Sequence, residues 1–139
     1  MEAGILNIVV EEEDIDILQH MNNLVYIKYL EKARLEWYEQ IGESFQTILD
    51  QGYGTVVRNL NVSYIKEARL GDKLQIKTTP LSIGNSSFVM KQWIYNERDE
   101  VITEAEAVIV MIDFHKREKA QIPSELANKL KQLITEQQK

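Results

Sequence analysis

Apolar positions along the 139-residue chain change period twice, and each change marks a different kind of element. "ILNIVV", residues 5–10, is a continuous apolar run suited to a strand, and it stops at the acidic stretch "EEED". From Tyr26 the spacing becomes three and four. Tyr26, Leu30, Ala33, Trp37 and Ile41 fall on one helical face, while Lys28, Glu31, Lys32 and Glu39 lie mainly elsewhere. Asn22 or Asn23 is the predicted N-cap, because a side-chain oxygen there accepts an otherwise unpaired N–H, and Gly42 is the predicted stop. "ESFQTILDQGYG", residues 43–54, predicts a short helix or turn. Beyond Thr55 the period drops to two, predicting strands over 55–67, 73–83, 86–96 and 101–114, with turns at Gly71-Asp72, Gly84-Asn85 and "NERDE".

The last strand carries most information about packing. Thr103, Ala105, Ala107, Ile109 and Met111 alternate onto one face, and the small side chains at 103, 105 and 107 let a bulky object lie close to the sheet. The helix bearing Trp37 is that object. Pro123 followed by "SELANKLKQLI" predicts a terminal helix with Ser124 as cap and Leu126, Leu130 and Leu133 as its apolar stripe. The order β-α-β-β-β-β-α defines an α+β fold, a curved antiparallel five-stranded sheet wrapped around one long central helix with a C-terminal helix. The length suits a single domain over 1–139. The strand 86–96, "SSFVMKQWIYN", is apolar enough to be hazardous as a free edge, which points to association with a second copy.

Composition narrows the function classes. A net charge of −6 argues against nucleic acid as partner, since phosphate neutralisation needs clustered Lys and Arg. No apolar run approaches the roughly 18 residues of a membrane span, and the first residues lack the basic region of a secretory signal. The absence of cysteine excludes thiolate chemistry and disulfides and suits a reducing cytoplasm. His20 and His115 are the two imidazoles, too few to suggest a metal. One local exception to the acidic balance is "HKREK", residues 115–119, a solvated strand end or a cradle for a phosphorylated ligand.

The densest chemistry lies in "EEEDIDILQHMNNLVY", residues 11–26, where carboxylates, an imidazole and two asparagines precede the helix. By spacing alone Asp16 reads as a turn cap as readily as a catalytic carboxylate, and His20 as a structural histidine as readily as a functional one. Glu11, Glu12 and Glu13 read as solvated surface, and Tyr26, Tyr29 and Trp37 as core or subunit-contact residues.

The order of elements, "DID" leading through "QHMNN" into the helix, and a tyrosine ten residues after the second Asp resemble the hotdog-fold acyl-CoA thioesterases of the 4-hydroxybenzoyl-CoA thioesterase type. "DIDILQHMNN" is also similar to the Asp-x-Asp-x-x-Gln-His-x-Asn-Asn of plant acyl-acyl-carrier-protein thioesterases, and "VSYIKEARLGDKLQI" and the "IP" after the last strand fall where the family has their counterparts. The resemblance implies hydrolysis of an acyl-CoA or acyl-carrier-protein thioester to a carboxylic acid and a free thiol. It makes Asp16, rather than Asp14, the nucleophile or general base, gives His20 a functional role, and aims the backbone N–H of Asn23 at the thioester oxygen. Glu67 is the runner-up carboxylate, although "RL" is inserted between Ala68 and Gly71. Gln19 stands where bacterial relatives often have Gly, and Leu18 where the plant enzymes have a functional Asn, so that asparagine's role does not transfer.

No cofactor is implied beyond coenzyme A as part of the substrate. Its phosphates need surface cations, for which Lys116, Arg117 and Lys119 are the candidates, with Arg58 and Lys66 further off. The resemblance also implies a homodimer or homotetramer with sites between subunits. Two other activities suit the same fold, an acyl-thioester hydratase or dehydratase and a non-catalytic acyl-CoA sensor. "QHMNN" after the paired Asp fits hydrolysis better than either.

Overall fold

The structure, a computed structural model, describes residues 4–137. One antiparallel sheet takes five main strands in the order β1-β3-β4-β5-β2. These are β1 (Ile5–Val9), β2 (Tyr53–Tyr64), β3 (Lys73–Ile83), β4 (Ser87–Tyr95) and β5 (Val101–Asp113). Between the first two come α1 (Asn23–Gln40) and the short α2 (Phe45–Asp50), and α3 (Ser124–Gln137) closes the chain. A two-residue strand absent from the sequence prediction, β6 (Glu118–Lys119), pairs with the end of β5. It exists because Asp113 accepts hydrogen bonds from the His115 and Lys116 N–H groups and Arg117 adopts φ 60°, folding the basic run back on itself. Among the described residues no helix is long and apolar enough to cross a membrane.

α1 buries Tyr26, Leu30, Ala33 and Trp37 against the sheet, the face its spacing predicts, and Gly42 ends it at φ 82°. Ala105 of β5 shares one apolar cluster with Leu30, and Ala107 a second with Trp37. One helix does not fill the concave face alone, however. α1 spans two apolar clusters, and the second, around Trp37, Phe88, Met90 and Met111, is completed by Ile122, just before α3, and by Leu126 and Leu130 within it. Lys129 of α3 donates to the Ile41 carbonyl at 2.8 Å and pairs with buried Glu43 at 3.4 Å, so α3 also satisfies the carbonyl end of α1. Ser124 is the first residue of α3 rather than its cap.

The edge argument drawn from residues 86–96 is overturned. β4 lies between β3 and β5, and its alternate residues Phe88, Met90, Gln92 and Ile94 are buried under the helices. An apolar strand needs no partner molecule when both its edges are paired and one face is covered. The free edges belong to β1 and to the long β2, where Val56 and Val57 are exposed beside a bulge at Arg58.

β2 ends three residues earlier than predicted. The Ile65 and Lys66 N–H groups both reach the Ile102 carbonyl, which breaks the ladder and swings residues 66–69 towards α1. There Ala68 accepts from the Met21 N–H at 2.7 Å, and His20 bridges Arg69. This departure from the sheet brings Glu67 to the segment that carries Asp16.

Candidate active site

The two aspartates of "DID" have different surroundings. Asp14 is buried: its Oδ2 accepts from the Glu11 N–H at 2.9 Å and the Tyr29 hydroxyl at 2.7 Å, and its carbonyl accepts from the Asn22 N–H. Burial and that carboxylate hold the Tyr29 hydroxyl's pKa above its ordinary value. Asp14 is therefore occupied in tying the turn to the helix. Asp16 begins a tight hairpin in which Ile15 pairs with Met21, its own N–H donates to the His20 carbonyl, and the Gln19 N–H donates back to its carbonyl. Its Oδ1 accepts from the Leu18 N–H at 2.9 Å, leaving Oδ2 without a hydrogen-bond partner among the described residues. Gln19 closes this turn at φ 67°, the left-handed region that glycine adopts without strain.

Asn22, one of the two predicted caps, is the N-cap of α1. Its side chain accepts from the Leu24 N–H at 2.9 Å and its carbonyl from the Val25 N–H. With the Asn22 N–H committed to Asp14, the Asn23 N–H is the donor of this turn that has no partner among the described residues. Asp16, His20, Asn23 and Glu67 line one pocket of about 400 Å³, with Leu18, Met21, Tyr26, Tyr64 and Ile65 as its apolar wall.

His20 and Glu67 face each other at 3.9 Å from Nε2 to Oε2, an electrostatic contact too long for a hydrogen bond. The opposite oxygen of Glu67 accepts from Arg69 Nε at 2.9 Å and Nη2 at 2.6 Å, and that guanidinium holds the carboxyl below the usual glutamate range. Glu67 is thus a fixed anion, whereas Asp16 keeps an oxygen free. A neighbouring cleft of about 620 Å³ shares Lys66 and Glu67, but its cations are engaged: Lys66 pairs with Glu100 at 2.5 Å, Arg98 with Glu100 at 3.2 Å, and Arg69 with Glu67.

Lys116, Arg117 and Lys119 are not brought to this pocket. They occupy the turn at the far end of β2, where Tyr53 pairs with Asp113, whereas the pocket lies beyond Tyr64, which pairs with Thr103. Twelve residues of strand separate the two ends, roughly 36 Å of extended chain. Arg58 lies on the exposed edge between them.

Sequence reasoning missed Tyr64 and Ile65. Tyr64 packs edge-on against Tyr26 at 5.2 Å and donates its hydroxyl to the Asn23 carbonyl at 3.0 Å. Nothing in the spacing distinguishes it from any other strand tyrosine, because its role depends on where β2 breaks from β5.

A curved antiparallel sheet around a long central helix is the hotdog fold, shared with solved structures. The chain belongs to the thioesterase-like superfamily, whose family model matches residues 10–130. It is 31% identical to the long-chain acyl-CoA thioesterase FadM of Escherichia coli over 121 residues, 86% of this chain and 91% of that protein. It is 26% identical to the chloroplastic acyl-acyl carrier protein thioesterase ATL3 of Arabidopsis thaliana, again over 86% of this chain but 63% of the plant protein. Among solved structures, SAV2348 of Staphylococcus aureus, determined in complex with CoA, superposes with a TM-score of 0.91 at 16% identity, covering 96% of this chain and 85% of that one.

Proposed function

We propose that this protein hydrolyses acyl-CoA thioesters to a carboxylic acid and free coenzyme A, with Asp16 as the base that activates water. The observation that carries this reading is the pairing, in one pocket of a thioesterase-superfamily chain, of an Asp16 oxygen and an Asn23 N–H that both lack a partner among the described residues. A thiol leaving group has a pKa of roughly 8.5, like that of cysteine, and departs as thiolate without strong acid assistance. Hydrolysis then asks for two things, a nucleophile and a donor for the oxyanion. Asp16 takes a proton from water as the water oxygen bonds to the acyl carbon. The Asn23 N–H holds the carbonyl oxygen as it becomes negative. The C–S bond breaks, and the thiolate recovers the proton. His20 orients the water, and Glu67, already bound by Arg69, supports His20 rather than attacking.

CoA is favoured over a carrier protein because identity to FadM, 31%, exceeds that to ATL3, 26%, and because a structural neighbour was determined with CoA. The phosphates are held by Lys116, Arg117 and Lys119 of a second subunit. Antiparallel pairing of two β2 edges about a two-fold axis sets the Tyr53 end of one strand beside the Tyr64 end of the other, so a homodimer brings the basic turn to the pocket that a lone chain keeps it from. Exposed Val56, Val57, Tyr64 and Ile65 give that edge an apolar surface to bury. A cytoplasmic setting belongs to this reading and is supported by a cysteine-free chain.

The test is thiol release from short, medium, long and aromatic acyl-CoAs by wild type and Asp16→Asn, each checked for fold and oligomeric state. Turnover falls by about 10²–10⁴ in the folded variant. Wild-type turnover in Asp16→Asn removes Asp16 from the chemistry and makes Glu67 the base. Binding without thiol release by the wild type would identify a sensor instead.

A further inference from the structure

The hydroxyl of Tyr64 joins the end of β2 to the first residue of α1, donating to the Asn23 carbonyl at 3.0 Å. We infer that Tyr64 is a positioning residue that aims the Asn23 N–H into the pocket, an inference resting on the oxyanion role proposed above for that N–H.

Asn22 shapes the N-cap turn by accepting from the Leu24 and Val25 N–H groups, and its own N–H, donating to the Asp14 carbonyl at 3.0 Å, ties that turn to the segment carrying Asp16. Orientation relative to the sheet comes from ties across the pocket, and two of them form a reciprocal pair. Tyr26, on α1, accepts from the Ala68 N–H at 3.0 Å and so fixes the loop bearing Glu67 to the helix. Tyr64, on the sheet, reaches the helix in the other direction. Their rings meet at 87°, so each holds the other's rotamer. The Leu24 side chain, 68% exposed, contributes little packing at this corner, which leaves the Tyr64 hydroxyl as the tie from the sheet to Asn23.

The Asn23 carbonyl and the Asn23 N–H belong to successive peptide planes joined at the Asn23 Cα, so a hydrogen bond on the carbonyl limits how far that residue turns and with it the direction of its N–H. Donors that stabilise an oxyanion act through preorganisation, and a loosened donor is a weaker one even when it still forms its bond. Because the Tyr64 hydroxyl is committed to a carbonyl, it acts on the reaction through Asn23.

The experiment is Tyr64→Phe, which keeps the ring and its contact with Tyr26 and removes the hydroxyl from a residue 46% exposed, so the fold persists. With an acyl-CoA turned over by the wild type, kcat falls about five- to tenfold while KM stays within about twofold, as loss of one hydrogen bond that serves the transition state predicts. In the substrate-free protein the ¹⁵N order parameter of the Asn23 amide falls in Tyr64→Phe, while that of Ala68 does not. An unchanged Asn23 order parameter overturns the inference, whether kcat is retained or lost, since a loss would then come from contact with substrate. Unchanged kcat alongside a loosened Asn23 also overturns it. Should the wild type bind acyl-CoA without releasing thiol, the hydrolytic reading fails by that result alone, and the amide measurement still decides whether Tyr64 holds Asn23.

Discussion

Asp14 and Asp16 share a side chain and a neighbourhood, yet the hydrogen bonds around them separate their work. Asp14 is enclosed by the Glu11 amide and the Tyr29 hydroxyl, and a carboxylate so engaged is a fastening. Asp16 spends one oxygen on its own turn and presents the other. That turn requires Gln19 at φ 67°, where a side chain costs roughly 1–2 kcal/mol relative to glycine. Part of the gain on replacing it is offset by the greater freedom of glycine in the unfolded chain, about 0.4–1 kcal/mol. Gln19→Gly is therefore expected to raise the melting temperature by about 2–4 °C, checked by calorimetry, since Gln19 is exposed and its side chain lies outside the pocket lining. A lower melting temperature would mean that the Gln19 side chain stabilises the turn. The positions of Asp16, His20, Asn23 and Glu67 around one pocket were legible in the sequence through the "DIDILQHMNN" resemblance. The reason Asp14 differs from Asp16 was not, because it depends on Tyr29, fifteen residues away on another element.

At the scale of elements, α1 was readable from its apolar spacing, but that spacing could not show that Arg34 is buried as well. Arg34 is 6% exposed and donates from Nη1 to Gln92 at 3.1 Å, and Gln92 in turn donates to the Leu30 carbonyl at 2.9 Å and the Thr78 hydroxyl at 3.0 Å. Burial lowers the guanidinium's pKa, with the Tyr38 and Glu31 side chains acting in the opposite sense. Its hydrogen-bond partner is a neutral amide, so the charge is desolvated without an ion pair to compensate it. Arg34→Met, which keeps the stem volume and removes the charge, is expected to melt at or above the wild-type temperature. Arg34→Ala leaves a void and is expected to lose about 2 kcal/mol by denaturant titration. A large loss in Arg34→Met would show that the Arg34–Gln92 bond outweighs the desolvation. The strands were likewise legible by period, with β3 matching its predicted bounds. Their order was not, because alternation gives the face a residue occupies and says nothing about which neighbour pairs with each edge. Composition alone therefore makes β4 look hazardous at an edge, whereas it is the middle of the sheet.

The whole molecule has a geometrical mismatch that a single chain does not resolve. The pocket opens beyond Tyr64 and the cations of the 115–119 turn, without a salt-bridge partner among the described residues, sit beyond Tyr53, at opposite ends of the same free-edged strand. In the proposed homodimer a two-fold axis through that edge would place each end against the partner's opposite end, so that each of two sites would draw Asp16 from one subunit and Lys116 and Arg117 from the other. Subunit mixing tests this arrangement directly. Asp16→Asn disables the base, and Lys116→Glu with Arg117→Glu disables phosphate binding, so each homodimer alone should be weak in thiol release at low acyl-CoA. In a mixed dimer both defects fall into one site, and the other receives an intact Asp16 and an intact basic turn. Equal amounts refolded or coexpressed form mixed dimers in about half of the pairings, each with one good site of two, so activity should recover to about a quarter of wild type. If base and cations served the same site from one chain, every site in every mixture would carry one defect, and mixing would recover nothing.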